Sequence, residues 1–534
     1  MKKKKFNLLL NIATLCLCVA AIAFGVYSAK NASLNVSGTV GFNAHNIDYT
    51  ANVYMYGHSG ADGKPVTEAN KVTLTNTGSD KINFELGNQT FSDLGDSGEP
   101  ETIYVVIEVT NNSDFNVALK ANLSLCTTAD ANILIDTPKD DSARILASKT
   151  GTADARKGTI KYTLNVKKNT NGEYPEIPTT YAVTLKVDLA KTDLTAGTPV
   201  RADLPVAIKE FTPEEVKPIR KLMQNTVFEM DVDGLTDEDI DAMAKDAGIS
   251  KEEAIAAIEQ SKSAKCYAER YPYYIEMGQV TGVTNKVNWL IVGTNENDTL
   301  TTLTDTDKQA LSEGLMLNKT YTMLSEKVLY TESTANYGIS FQNSHSESLL
   351  TPKYPNTKNP AYSAQDYATS NVRSYLKGNT VQRVSTSANS VYSPSGTEVN
   401  LMTTYNLAND KMYNKIQGRT LTSLYTNIGT PSGTIWSEAT DDGKTDKTND
   451  KLWLLSEKEM KEVFKFTEDY VDSAYRVSAI TTTYGNIVSN VAAWWLRSPG
   501  TGRANNMLFV NALSKLENVT VDNITTGVRA AFLF

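Results

Sequence analysis

Between residues 30 and 210, apolar side chains recur at every second position, over and over. Ile103, Val105, Ile107 and Val109 form one such run, and Val117, Leu119, Ala121, Leu123 and Leu125 form the next. Ile160, Tyr162, Leu164 and Val166 follow, and Tyr181, Val183, Leu185, Val187 and Leu189 close the series. Earlier in the chain, Leu34, Val36, Val40 and Phe42 share the pattern, as do Val72 and Leu74 before Asn76-Thr77-Gly78-Ser79 and Ile82, Phe84 and Leu86 after it. A strand points successive side chains to opposite faces, so a period of two describes strands buried on one face only. Asn, Gly, Ser and Asp clusters between the runs supply turns. Many such strands in succession predict an antiparallel β-sandwich of jelly-roll type over residues 30–210.

The pattern changes at Phe211. Thr212-Pro213-Glu214-Glu215 places a proline at the first helical position behind a threonine cap. Thr236 with Asp239 and Ser250 with Glu253 are further cap pairs at capping-box spacing. Ile240, Met243, Ala244 and Ala247 make one apolar stripe, and Ala254, Ile255, Ala257 and Ile258 another, with Gly248 between them as a stop. Residues 211–268 are therefore expected to be a small acidic helical connector, a spacer or a partner-binding helix pair. Asp231, Asp233 and Gly234 do not make an EF-hand, because the glycine falls too early and the later ligands are missing.

All 5 tryptophans lie beyond this point, at Trp289, Trp436, Trp453, Trp494 and Trp495. Trp289 and Trp453 sit in apolar strand-like runs and are expected in a core. Trp494-Trp495-Leu496-Arg497-Ser498-Pro499-Gly500 joins two large aromatic rings, a planar guanidinium and a turn. Neighbours on a strand face opposite ways, so one ring is expected inside and one outside, either stacking on a sugar or lying beneath a loop. Gly527-Val528-Arg529-Ala530-Ala531-Phe532-Leu533-Phe534 reads as an apolar strand closing the same core. Arg497 and Arg529 suit structural hydrogen bonds to carbonyls or carboxylates, with ligand contact as the alternative. The tracts Thr331–Ser370 and Val381–Tyr405 are rich in Ser, Thr, Asn and Tyr and read as long loops, a composition that adapts well to a ligand surface. Asp441, Asp442, Asp446 and Asp450 read as a solvated acidic loop whose spacing matches no calcium rule.

The pair W-W-L-R-S-P-G and G-V-R-A-A-F-L-F resembles a family of uncharacterised bacterial surface domains, common in Gram-positive gut bacteria, that end in a W-W-L-R-S-P-G block and a G-V-R-P-A strand. Val287–Val292, Thr322–Lys327, Ser370–Gly378 and Lys451–Glu459 match other pieces in the same order, and Ala530 stands where the family has proline. The resemblance covers roughly residues 270–534. It implies an α+β, C-type-lectin-like fold related to formylglycine-generating enzymes for residues 269–534. Those enzymes depend on a reactive cysteine pair, whereas here Cys266 is the one candidate and it precedes the domain.

At the other end, Lys2 to Lys5 precede an uncharged apolar run from Phe6 to Tyr27. Residues 1–29 are expected to be a signal peptide cut after Ala29, or a retained membrane anchor spanning residues 6–27. Both place the remainder outside the cell. Gly25–Ala29 with Leu34–Phe42 resembles the start of TasA and camelysin-type exported matrix proteins, which have a dedicated signal peptidase. Such proteins have been classed as metallopeptidases, but His45 and His58 lie in polar turns and no H-E-x-x-H occurs. The strand Ser33–Phe42 is an edge strand, or one donated to a neighbouring subunit.

The formal net charge is −9, and loss of the leader would remove four lysines. This acidity argues against a nucleic-acid partner and for a soluble extracellular protein. Only 4 cysteines occur, two of them in the leader, so the chain is no disulfide scaffold. No nucleophile–base set or G-x-S-x-G motif appears. The expectation is a multidomain, non-enzymatic surface protein without cofactor or metal, whose lectin-like domain binds glycan or a surface protein. Its candidate ligand-binding residues are Trp494, Trp495, Arg497, Asn505 and Arg529. The alternative is a structural biofilm-matrix subunit that self-associates through its sandwich.

Overall fold

The computed structural model describes residues 47–56, 68–75 and 81–91 and most of 99–329. It then describes 337–338, 367, 370–386, 392–421, 448–464 and 492–499, and most of 506–534. The architecture is rich in antiparallel sheet with few helices. The leader, Ala29, the strand at 33–42, the polar tract's 339–366 portion and the acidic residues Asp441, Asp442 and Asp446 lie outside the described residues, as do all three histidines.

The first ten strands are β1 (Tyr49–Tyr56), β2 (Glu68–Thr75), β3 (Lys81–Phe91), β4 (Ile103–Asn111), β5 (Val117–Ala121), β6 (Thr127–Thr128), β7 (Ile133–Asp136), β8 (Ile145–Leu146), β9 (Lys157–Val166) and β10 (Thr179–Lys191). They form two five-stranded sheets. One has the order β2-β1-β4-β9-β7; the other has the order β3-β10-β5-β8, with β6 also pairing β10. The period of two in the sequence becomes period-two burial. Ile103, Val105, Ile107 and Val109 are buried while their neighbours on β4 are half-buried. Opposite them on β9, Val105 meets Tyr162 and Ile107 meets Ile160. A one-residue slip would turn that apolar set to the other face, so burial fixes the register.

The helices begin where the caps place them. Glu215 N–H donates to Thr212 Oγ1 (3.3 Å) ahead of the helix Pro213–Phe228. Thr236 and Asp239 form a capping box on Asp237–Ala247, which ends on Gly248 at φ 68°. Glu253 N–H donates to Ser250 Oγ (3.1 Å) at the start of Lys251–Ser263. Their attachment to the later sheet is fixed at both ends. Strand β11 (Lys209–Glu210) pairs antiparallel with β12 (Tyr273–Gln279), so the helices leave and re-enter at one sheet edge. Residues 209 and 210 thus join the later sheet. The apolar stripes fold back: Ala244, Ala254 and Ile258 are buried.

That later sheet is completed by β13 (Lys286–Glu296), β14 (Thr299–Thr301), β15 (Tyr321–Ser325), β21 (Trp453–Leu454) and β25 (Ala530–Leu533), in the order β11-β12-β13-β15-β25-β21, with β14 on β13. Trp289 on β13 donates Nε1–H to Met277 O (2.9 Å) and packs edge-on against Phe532 of β25, with ring centroids 5.0 Å apart. Gly293 allows the hairpin to close over β14. A Cβ there would lie 2.3 Å from Thr301 O and 2.9 Å from Leu300 Cδ1. Backbone and core atoms cannot both give way, so Gly293→Ala is expected to cost about 1–3 kcal/mol, measured by denaturant unfolding.

Smaller sheets complete the region. One comprises β16 (Tyr337–Gly338), β17 (Val381–Thr386) and β18 (Tyr392–Val399). The pair β19 (Arg419–Leu421) and β20 (Thr448–Asp450) makes a two-stranded ladder. The last sheet comprises β22 (Trp494–Pro499), β23 (Asn506–Val510) and β24 (Leu516–Thr520). The expected loop Val381–Tyr405 is therefore a hairpin followed by a short helix, Leu401–Thr404. Its strands carry so few apolar residues that no alternation betrays them.

Candidate functional site: a buried arginine and tryptophan cluster

The two adjacent tryptophans lie on β22, which is occupied along both edges. Trp494 stands opposite Val510 and Trp495 opposite Phe509 on β23. On the other side, Trp495 N–H donates to Gly527 O (3.0 Å) and Gly527 N–H to Ala493 O (2.9 Å). Each indole has its own cover. Trp494 faces Phe464 (ring centroids 6.2 Å apart) and the Arg529 guanidinium (5.1 Å from the ring), while Trp495 faces Phe509 (6.5 Å). Both rings are 0 % exposed, which corrects the alternative of an exposed sugar-stacking ring and agrees with that of a covered one. Neighbouring side chains still have different partners, as a strand requires, but both sides of this strand are covered.

Both arginines of the motif are buried as well, and they bond to the protein. Arg497 Nη1 donates to Leu454 O (2.8 Å) and to the Glu459 carboxylate, and Arg419 Nη1 donates to Glu459 Oε1 (2.6 Å). Glu459 Oε2 also accepts from Ser456 N–H (2.9 Å), and Glu459 N–H donates to Ser456 Oγ (3.2 Å). This is a capping box at the start of the helix Glu457–Phe464, with its acidic member shared by two guanidiniums. Burial pushes the Glu459 carboxyl up, but Arg497 first and then Arg419 outweigh it, bringing it down to about 2.

The charge network extends along the ladder. Arg419 stands opposite Asp450 across β19–β20, and Asp450 accepts a two-pronged bond from Arg373 (Nε to Oδ2 2.8 Å, Nη2 to Oδ1 2.9 Å). Asp450 is 1 % exposed, which corrects its placement in a solvated loop. Arg419 also lies over the Trp453 ring, 5.1 Å from its centre. Further in, Arg529 donates through Nε to Ser325 O (2.9 Å) and through Nη2 to Glu326 O (3.2 Å). The buried Glu326 carboxylate accepts from Tyr267 Oη (2.9 Å) and Asn288 Nδ2 (2.9 Å).

Of the five candidate ligand residues, the structure brings together Trp494, Trp495, Arg497 and Arg529 in one buried cluster; Asn505 lies outside the described residues. The cluster orients backbone. Arg497 N–H bonds Leu455 O (3.0 Å), and its side chain bonds the residue before, tying β22 to β21 and the capped helix. Glu459 has both oxygens engaged, which leaves it poorly placed to carry protons. Glu459, Arg419 and Arg373 were not singled out from the sequence, and Asp450 was read only as part of an acidic loop. The one available signal was Ser456-x-x-Glu459, a capping-box spacing inside a quoted motif.

Two further groups bear on chemistry. Cys266 is a free, buried thiol whose burial pushes it up to about 11, far from a reactive thiolate. Among the described residues, no group of three or more His, Cys, Asp or Glu side chains is placed to hold a metal ion. Among them too, no helix is long and apolar enough to cross a membrane.

The fold and cluster define a β-rich multidomain chain whose aromatic motif is internal. A family model described as a domain of unknown function, DUF6273, matches residues 345–534, which include Trp453, the Trp494-Trp495 pair and Arg529. The match begins after β11 to β15, so most strands of the seven-stranded sheet lie ahead of it. No curated protein and no solved structure matches the chain.

Proposed function

We propose that this chain is a secreted or surface-displayed, non-enzymatic binding protein, with a β-sandwich in its first half and a C-type-lectin-like fold in its second. Two five-stranded antiparallel sheets with inward-facing apolar rows support the sandwich reading. The closing strand β25, set between β15 and β21, supports the lectin-like one. The ligand is a glycan or a surface protein, met by polar tracts that the buried cluster anchors and not by the buried rings of Trp494 and Trp495.

One observation carries this reading. Leu421 and Thr448 are paired across β19–β20, so the ladder brings together the two ends of the tract 422–447. The same ladder is pinned by the Arg373–Asp450 and Arg419–Glu459 ion pairs. A ladder braced by buried ion pairs is the kind of rigid base on which binding segments are carried.

The test is binding of the intact chain to a glycan array and to whole bacterial and host cells. It is compared with a variant in which residues 422–447 are replaced by a short Gly-Ser link. Saturable binding by the intact chain, lost at an unchanged melting temperature in the variant, is the expected result. Binding that survives the replacement would place the ligand elsewhere. No binding in any format, together with fibres in electron micrographs, would replace this reading with a matrix subunit.

A further inference from the structure

The segment Gly197–Asp203 is hydrogen-bonded on one side to β8 of the first-half sheets and on the other to residues 316–318, the loop that leads into β15 of the later sheet. On one side, Gly197 N–H donates to Ile145 O (2.8 Å), Ile145 N–H donates to Thr198 O (2.9 Å), and Pro199 bridges Arg144. On the other, Val200 bridges Leu317, Arg201 N–H donates to Met316 O (2.8 Å), and Asn318 N–H donates to Pro199 O (3.0 Å). The hand-over from one half to the other takes place at a single residue, Pro199. No slack remains for a flexible hinge, and Val200 is 0 % exposed.

Side chains fasten the joint further. Arg201 is buried and grips Asp203 with two bonds (Nε to Oδ1 2.9 Å, Nη2 to Oδ2 2.8 Å). Its guanidinium lies 3.6 Å from the centre of the Phe534 ring, beyond β25. Phe534 is itself paired with Tyr321 at the start of β15, by N–H to O bonds of 3.0 and 2.8 Å. Burial pushes the Asp203 carboxyl up, but Arg201 holds it below its ordinary range, with Lys415 adding to the effect. Away from the segment, Lys120 of β5 donates Nζ–H to Gly314 O (3.1 Å), and Lys415 pairs with Asp136 of β7. Buried residues from Ile47 to Phe534 make one continuous apolar cluster.

We infer that residues 197–203 act as a shared strap, clamped by Arg201, that makes the first-half sheets and the seven-stranded sheet a single cooperative unit and an obligate partner for each other. The consequence for function is that the C-terminal region is presented in a fixed orientation on the first half, and a fragment starting at residue 269 lacks the partner it packs against. This inference is independent of what the chain binds.

Hydrogen exchange read by mass spectrometry on the intact wild-type chain tests it without any variant. The Arg201 and Asn318 amides are expected to exchange as slowly as those of β4 and β13, within about threefold, because all open in the same global event. Calorimetry is expected to show one transition. Arg201→Ala is expected to speed exchange at the strap by about tenfold or more, while Arg220→Ala, which breaks an exposed pair with Glu269, leaves it unchanged. Strap amides exchanging more than about tenfold faster than both sheets, with two calorimetric transitions, would overturn the inference. Should Arg201→Ala fail to fold, the wild-type exchange pattern alone still decides.

Discussion

Replacing Glu459 with alanine is expected to remove about 3–5 kcal/mol of folding stability, the range for breaking a buried ion pair by deleting one partner. The change would leave Arg419 and Arg497, both 7 % exposed, without the carboxylate between them. It would also remove the acidic member of the box on Ser456. Glu459→Gln keeps the shape and the acceptor for Ser456 N–H but loses the charge, so it is expected to fall between wild type and Glu459→Ala. Urea unfolding midpoints at neutral pH rank the three. The same carboxylate makes stability depend on acid. Its folded value of about 2 lies below its ordinary 4.5, so the unfolded chain binds the proton more readily. The stabilisation is present in full above about pH 5 and declines as pH falls toward 2, by about 3 kcal/mol in all. Between those limits the stability of Glu459→Gln should have a shallower slope against pH than that of wild type. Equal slopes would mean that Glu459 is not held between the two arginines.

The second large effect is expected at Trp494. Trp494→Ala deletes a wholly buried ring packed on Phe464 and the Arg529 guanidinium, and about 3–5 kcal/mol is the usual cost for an aromatic core residue. Trp494→Phe is expected to cost far less. It refills most of the volume and breaks no hydrogen bond to the described residues, because Trp494 Nε1 has no acceptor among them. A ligand-stacking tryptophan would give the opposite pattern: alanine tolerated in the fold, and binding lost. Thermal melts of both variants, read beside binding to cells, separate the two.

Much of the architecture was legible because it rests on patterns that a sequence displays directly. The alternation at Ile103–Val109 became the alternating burial of β4, and Thr212, Thr236 and Ser250 became helix caps. What was hidden shares a physical cause. Arg373, Asp450, Arg419 and Glu459 are charged, and charge reads as surface until a partner far along the chain cancels it. Asp450 and its Arg373 are joined only by the fold. The strap at Gly197–Asp203 is made of isolated bridges, which have no period to detect. The hairpin β17–β18 contains Ser, Thr, Gln and Pro where a half-buried strand would show apolar residues. For the tryptophan pair, the alternation rule was sound, but a strand paired along both edges and covered on both faces has no outside.

Tryptophan fluorescence decides most directly whether the motif is interior. In a Trp436→Phe chain the remaining emitters are Trp289, Trp453, Trp494 and Trp495, each no more than 1 % exposed. Iodide, a charged quencher excluded from protein interiors, should then quench native emission very little and reach its full effect only after denaturation. Native quenching of one emitter as strong as that of free indole, lost in Trp495→Phe or Trp494→Phe, would show an exposed ring at the motif and contradict its burial.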